Sequence, residues 1–130
     1  METIIRVPLE QLHLEHELWK NEFSFYSDEL RVLNKFLEQV AGKNTALDAL
    51  KGIEHFQNQF IRQKEVLDEL LHEIHSNERE LLGLMKGMKD SQIDKARFSD
   101  HVAIRERVET YRKIYAEMKE EFMRFVARWL

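Results

Sequence analysis

Apolar residues recur along the first third of the chain at alternating steps of four and three, which keeps them on one face of an α-helix. The series comprises Leu12, Trp19, Phe23, Tyr26, Leu30, Leu33, Leu37 and Val40. His16 completes the alternation between the first two members. Such an unbroken seam is typical of a helix in a coiled-coil-like bundle, so we predict a first helix over about residues 8–41.

A second helix is predicted over about residues 45–88. Its seam runs through Leu50, Ile53, Phe60, Leu67, Leu71, Ile74, Leu81, Met85 and Met88. This seam is widened by Phe56, Leu70 and Leu84 and interrupted by Gln57, Lys64 and Glu78. Polar residues at seam positions usually fix the register of helix packing at some cost in stability.

A third helix is predicted over about residues 92–130, with Asp90 or Ser91 as its N-cap. Its seam carries Ile104, Val108, Tyr111, Tyr115, Met118, Phe122, Phe125 and Trp129. The same phase continued upstream reaches His101 and Arg97, so the apolar pattern fades toward the start of this helix.

The segments between these helices are short, and short connections place consecutive helices antiparallel. Residues 1–7 are expected to form an extended arm, and Pro8 suits the first turn of a helix. Gly42 is expected to end the first helix in the left-handed conformation. We therefore predict one domain over residues 1–130, an all-α, antiparallel up-down-up three-helix bundle with long, coiled-coil-like helices.

The composition narrows the function classes. The 130 residues include one proline and no cysteine, so neither a disulfide nor a thiolate metal site is available. The net charge is −4 and no segment is densely basic, which argues against nucleic-acid binding. No uncharged apolar run is long enough to span a membrane, and the first residues do not resemble a secretion signal. We expect a cytoplasmic protein without membrane contact.

No catalytic constellation is recognisable. None of the serines lies in a nucleophile elbow of the GxSxG type, and the four glycines form no phosphate-binding loop. Carboxylate pairs such as Glu65 and Glu69 have the spacing of ordinary solvated helix faces. We therefore predict a non-enzymatic protein that needs no cofactor.

Two HxxH motifs are the sharpest chemical pattern, His13 with His16 and His72 with His75. If the first reversal is centred near residue 43, facing residues have numbers that total about 86, which brings the two pairs together. Imidazoles with nearby carboxylates suit Zn, Ni, Cu or non-haem Fe. The alternative is that His16 is an ordinary core histidine while His72 and His75 point to solvent.

A second apolar strip lies on the first helix outside its seam. Leu18, Phe25 and Val32 recur every seven residues, with Phe36 beside them. Exposed apolar residues in a row usually mark an interface, unless the first helix buries both faces within its own chain. We predict a protein–protein interaction or self-association module, most simply a homodimer. The alternative is a transition-metal-binding bundle that uses the four histidines.

Overall fold

The computed structural model describes residues 4–87 and 92–130 and contains three long helices. Helix α1 spans Leu9–Lys43, α2 spans Leu47–Gly87 and α3 spans Lys95–Trp129. Two three-residue strands accompany them, β1 at Ile4–Arg6 and β2 at Gln92–Asp94. The predicted all-α class with three long helices is confirmed. The up-down-up order stays a prediction.

The end of α1 differs from the prediction. The helix continues to Lys43, and Gly42 does not take a left-handed conformation, because no described residue has a positive φ. The side chain of Asn44 instead donates hydrogen bonds to the carbonyl oxygens of Val40, at 2.9 Å, and Trp129, at 2.8 Å. One amide thereby satisfies terminal carbonyl groups of both α1 and α3.

The prediction that the third helix begins near residue 92 is wrong, because α3 begins at Lys95. Strand β2 occupies the preceding residues and pairs antiparallel with β1, with Ile5 opposite Ile93. An extended arm needs partners for its backbone N–H and C=O groups, and β2 supplies them. The cap candidates Asp90 and Ser91 lie outside the described residues, as does seam position Met88.

The chain forms two compact units. Unit 1 comprises Met1–Phe23 and Glu69–Thr110, and unit 2 comprises Ser24–Asp68 and Tyr111–Leu130. In unit 1, Ile93 of β2 is buried in a cluster with Leu9, Leu12 and Leu81. The core of unit 2 includes Leu30, Leu33, Leu37, Val40, Ile53, Phe56, Phe60, Leu67, Tyr111, Tyr115, Met118 and Phe122. None of the described helices has the length and apolar content needed to cross a membrane.

The buried stripe of α2 differs in part from the predicted seam. Ile53, Phe60, Leu67 and Ile74 are buried as expected. The other buried positions lie one residue earlier than the predicted seam. Ala49, Phe56 and Leu70 are buried, whereas the seam positions Leu50, Gln57 and Lys64 are exposed. Phe56 and Leu70 bury more apolar surface than Gln57 and Lys64 would, so the helix is rotated toward them.

Candidate functional site in unit 1

The buried polar and charged side chains of the described residues are concentrated in unit 1. They are His16 of α1, Glu78 of α2 and His101 of α3, each no more than 5% exposed. All three continue the apolar periodicity of their helix. Groups of this kind are costly to bury without hydrogen-bond partners, so their contacts define the site.

Glu78 is held by two imidazoles. Its Oε1 contacts Nδ1 of His13 and its Oε2 contacts Nδ1 of His16. The His13 side chain is 38% exposed, whereas that of His16 is fully buried. The carboxylate therefore joins a solvent-accessible imidazole to an inaccessible one, and both of its oxygens have a partner.

His16 is fixed on its other sides as well. Its Nε2 lies 2.9 Å from Oδ1 of Asn77, so both ring nitrogens have an oxygen partner. The ring also packs against aromatic neighbours, with centroid distances of 5.6 Å to Trp19 and 4.8 Å to His101. These contacts hold the imidazole in position against Glu78.

A second ionic cluster lies beside the first, around Glu15. Its carboxylate accepts hydrogen bonds from His101 Nε2 at 3.0 Å and from Arg105 Nε and Nη2 at 2.8 and 2.5 Å. Burial alone would raise the pKa of Glu15, but the hydrogen bonds from Arg105 and His101 leave this pKa below its ordinary value. The hydrogen bond to Glu15 also raises the pKa of Arg105.

His101 is the less satisfied member of this cluster. Burial lowers the pKa of His101 below its ordinary value, and the hydrogen bond to Glu15 offsets only part of that effect. Its Nδ1 is buried without a hydrogen-bond partner among the described residues. A neutral ring that donates from Nε2 has a lone pair at Nδ1, so no buried N–H group lacks an acceptor at that nitrogen.

The accessible edge of the site brings together three side chains of the kinds that bind cations. One nitrogen of His13 and one oxygen each of Glu17 and Glu78 lie within 4.8 Å of one another. His13 and Glu17 are four residues apart on α1 and therefore share a face. Glu17 is paired with Lys20 at 2.5 Å, and this hydrogen bond lowers the pKa of Glu17.

The structure brings His13 and His16 together with Glu78, not with His72 or His75. Both of the latter are exposed on α2 and belong to no metal-competent group among the described residues. The reason is the length of the first reversal. Because α1 continues to Lys43 and α2 begins only at Leu47, the facing pairs have numbers that total 91 and 94 instead of 86.

The sequence contained a usable signal for most of this site. Glu78 interrupts the seam of α2 and His101 lies on the upstream phase of α3, and a polar residue in a seam position is a candidate for a buried polar network. Asn77 and Arg105 lie off the seams, so no pattern in the sequence distinguished them, and Glu15 was indicated only as a carboxylate close to the first HxxH motif.

The interface candidates lie where the sequence placed them, on the solvent side of α1. The side chains of Leu18, Phe25, Val32 and Phe36 are 58%, 56%, 48% and 39% exposed. Leu14, which was not among the interface residues predicted from the sequence, is 55% exposed. The alternative that α1 buries both faces within its own chain is therefore not realised.

Unit 1 thus offers imidazole nitrogens and carboxylate oxygens, groups that bind protons and cations. Comparison with protein-family models, with curated proteins and with solved structures finds no match. The function is therefore inferred from the residues of this chain alone.

Proposed function

We propose that this protein is a non-enzymatic self-association module that forms a homodimer through the solvent side of α1. The observation that supports this proposal is a row of large apolar side chains, each at least 39% exposed. We call this row the α1 strip, and its members are Leu14, Leu18, Phe25, Val32 and Phe36. Large apolar side chains aligned in this way on a helix are typical of a protein interface.

The spacing of the α1 strip favours a second copy of the chain as the partner. All five residues belong to one uninterrupted helix, and at about 100° per residue they point within roughly 40° of one another. Successive members are separated by four, seven, seven and four residues, so the spacing of the strip is symmetric about Phe25. A two-fold interface requires this kind of self-complementary surface.

The symmetry defines a specific arrangement of two antiparallel α1 helices. With the two-fold axis at Phe25, the two Phe25 side chains face each other across the axis. Leu18 of each chain then faces Val32 of the other, and Leu14 faces Phe36. Every member of the strip has an apolar partner in this arrangement, so each of the five side chains is removed from water.

The dimer is expected to be weak and sensitive to salt. A stable interface usually buries about 800 Å² on each partner, more than one row of half-exposed side chains supplies. Glu22 and Asp28 lie equally far from Phe25, so these acidic residues approach each other near the axis, and the pairing of Asp28 with Arg31 at 3.2 Å offsets only part of their repulsion. Screening of this repulsion by added salt should strengthen the dimer.

Analytical ultracentrifugation across a range of protein concentrations tests the proposal. The wild-type chain should show a reversible monomer–dimer equilibrium that shifts toward dimer at high ionic strength. The double variant Leu18→Glu, Phe25→Glu should remain helical and monomeric. The control Ile61→Glu replaces a residue that is 60% exposed on α2, and it should leave the dimer unchanged.

Cysteine cross-linking tests the arrangement itself, because the natural chain contains no cysteine. Facing positions of packed helices approach to distances that a disulfide can span. Under mild oxidation Phe25→Cys should form a covalent dimer, and Ile61→Cys should not. A wild-type chain that stays monomeric, or equal cross-linking of both variants, would refute the proposal.

A cytoplasmic location and the absence of nucleic-acid binding are part of the same proposal. The net charge of −4 and the scattered lysines and arginines give phosphates little to bind. Cell fractionation and a filter-binding assay with single- and double-stranded oligonucleotides test these two points directly.

A further inference from the structure

We infer that unit 1 carries a binding site for a divalent transition-metal ion, with His13, Glu17 and Glu78 as the ligands and Zn²⁺ as the best-suited ion. This site does not depend on dimer formation. It shares only His13 with the four-histidine site predicted from the sequence, and its other two ligands are carboxylates.

The ligand atoms lie near enough to one another for rotations of the side chains to bring them onto one ion. The nitrogen of His13 and the oxygens of Glu17 and Glu78 lie within 4.8 Å of one another, whereas ligands about 2.0–2.2 Å from a common ion are at most about 4.4 Å apart. Two of them come from adjacent turns of α1 and the third from α2. The ion would therefore join two helices of unit 1 without a change of fold.

The donor set selects the class of ion. One imidazole and two carboxylates with no thiolate suit Zn²⁺ and similar divalent ions, whereas soft Cu⁺ prefers sulfur. Three protein ligands leave at least one coordination position for water, as in open zinc sites. Once the ion displaces Lys20 from Glu17, the two carboxylates also balance the charge of the divalent ion, which lowers the cost of placing it beside the core.

Bound metal would replace a proton. His13 Nδ1 and Glu78 Oε1 form a hydrogen bond, so one proton lies between the two atoms. The cation takes the place of this proton between the two atoms, so the nitrogen presents its lone pair to the ion. Because this exchange requires a deprotonated nitrogen, metal affinity should decrease as the solution becomes more acidic.

His16 acts as a positioning residue for the site. It contacts the second oxygen of Glu78, is completely buried, and has its Nε2 beside Asn77. The carboxylate is thereby held with its first oxygen directed at His13. Groups that orient a ligand in this way commonly change metal affinity by about 10–100-fold when they are removed.

The test is a calorimetric titration of the metal-free chain with ZnCl₂. The wild-type chain should bind one ion per chain, and His13→Ala and Glu17→Gln should each weaken binding by at least about tenfold. Both positions are accessible to solvent, so the variants should keep the wild-type helical circular dichroism. That spectrum is the control for folding.

The matched control is the double variant His72→Ala, His75→Ala, which removes the exposed HxxH motif of α2. It should bind Zn²⁺ as the wild type does. Equal loss of affinity in this control, no binding by the wild type, or unchanged affinity in both His13→Ala and Glu17→Gln would overturn the inference. Ultracentrifugation of the same samples separates this result from the oligomeric state.

Discussion

Gly52 of α2 lies directly against the ring of Phe125 of α3 in unit 2. A Cβ added at Gly52 would fall at 3.0 Å or less from three carbons of that ring. Helix α2 continues without interruption through this glycine. The residue is therefore a packing position that admits the Phe125 ring.

Gly52→Ala should reduce the free energy of unfolding although alanine is the better helix former. The added methyl group has to displace the Phe125 ring, and overpacking of this kind costs about 1–3 kcal/mol. The matched control is Gly83→Ala, also inside α2, where nothing lies within 4 Å of the added Cβ. That variant should gain about 0.5–1 kcal/mol.

Urea denaturation followed by circular dichroism measures both changes. If Gly52→Ala is stabilised as much as Gly83→Ala, Phe125 moves away without cost and the close packing is not required. The double variant Gly52→Ala, Phe125→Leu should recover part of the loss, because the smaller side chain leaves room for the methyl group.

How far the sequence predicted this molecule depends on what each pattern encodes. The apolar periodicity encodes which face of a helix is buried, and it correctly separated Phe23 from Phe25 on α1. It does not encode where a helix ends. The predicted centre of the first reversal was wrong by a few residues, and a turn of α-helix contains only 3.6 residues. The prediction therefore paired His13 with His72 and His75, whereas its partner in the structure is Glu78.

The buried carboxylate of Glu78 is expected to stabilise unit 1 strongly. Glu78→Ala would leave Nδ1 of the fully buried His16 without a partner, and leaving a buried polar group unpaired costs about 1–3 kcal/mol. Glu78→Gln keeps one carbonyl acceptor and should cost less. The control Glu80→Ala changes an exposed residue of the same helix and should stay within about 0.5 kcal/mol of the wild type.

Thermal and urea unfolding of the three variants provide the comparison. A change at Glu78 no larger than that at Glu80 would mean that the two imidazoles find water as a replacement partner. In that case the contacts of Glu78 would contribute little to stability, whatever their value for cation binding.

Tyr115 of unit 2 is expected to contribute through its hydroxyl group. It is 2% exposed and donates a 2.7 Å hydrogen bond to Glu29, whose other oxygen accepts from Lys119 at 3.1 Å. Burial and the hydrogen bond to Glu29 raise the pKa of the Tyr115 phenol. Tyr115→Phe should cost about 1.5–3 kcal/mol, since the lost hydrogen bond involves a charged acceptor.

Tyr111→Phe is the matched control for this hydroxyl. Tyr111 is 3% exposed and donates to the backbone carbonyl of Gln63 at 3.3 Å, a neutral and longer hydrogen bond. Its removal should cost about 0.5–1.5 kcal/mol, less than that of the Tyr115 hydroxyl. The reverse order in urea denaturation would contradict the assignment of the stronger interaction to Glu29.

Protonation of His101 should make the fold less stable in mild acid. Burial lowers the pKa of His101 in the folded state, whereas in the unfolded chain it is close to 6.5. Below about pH 6.5 the unfolded chain therefore binds a proton that the folded chain resists, and the free energy of unfolding falls as the pH decreases. The groups that face His101 are Glu15, Arg105 and His16, together with the Trp19 ring.

The comparison of the wild type with His101→Gln isolates this effect, because glutamine keeps an N–H for Glu15 but does not titrate. Urea denaturation at pH 7.5 and 5.5 should show a smaller loss of stability in the variant than in the wild type. Glu15 does not interfere in this range, since its lowered pKa affects stability only near and below its ordinary value of 4.5. If both proteins lose the same free energy between the two pH values, the acid sensitivity resides in other histidines. His101 would then accept its proton in the folded state without cost.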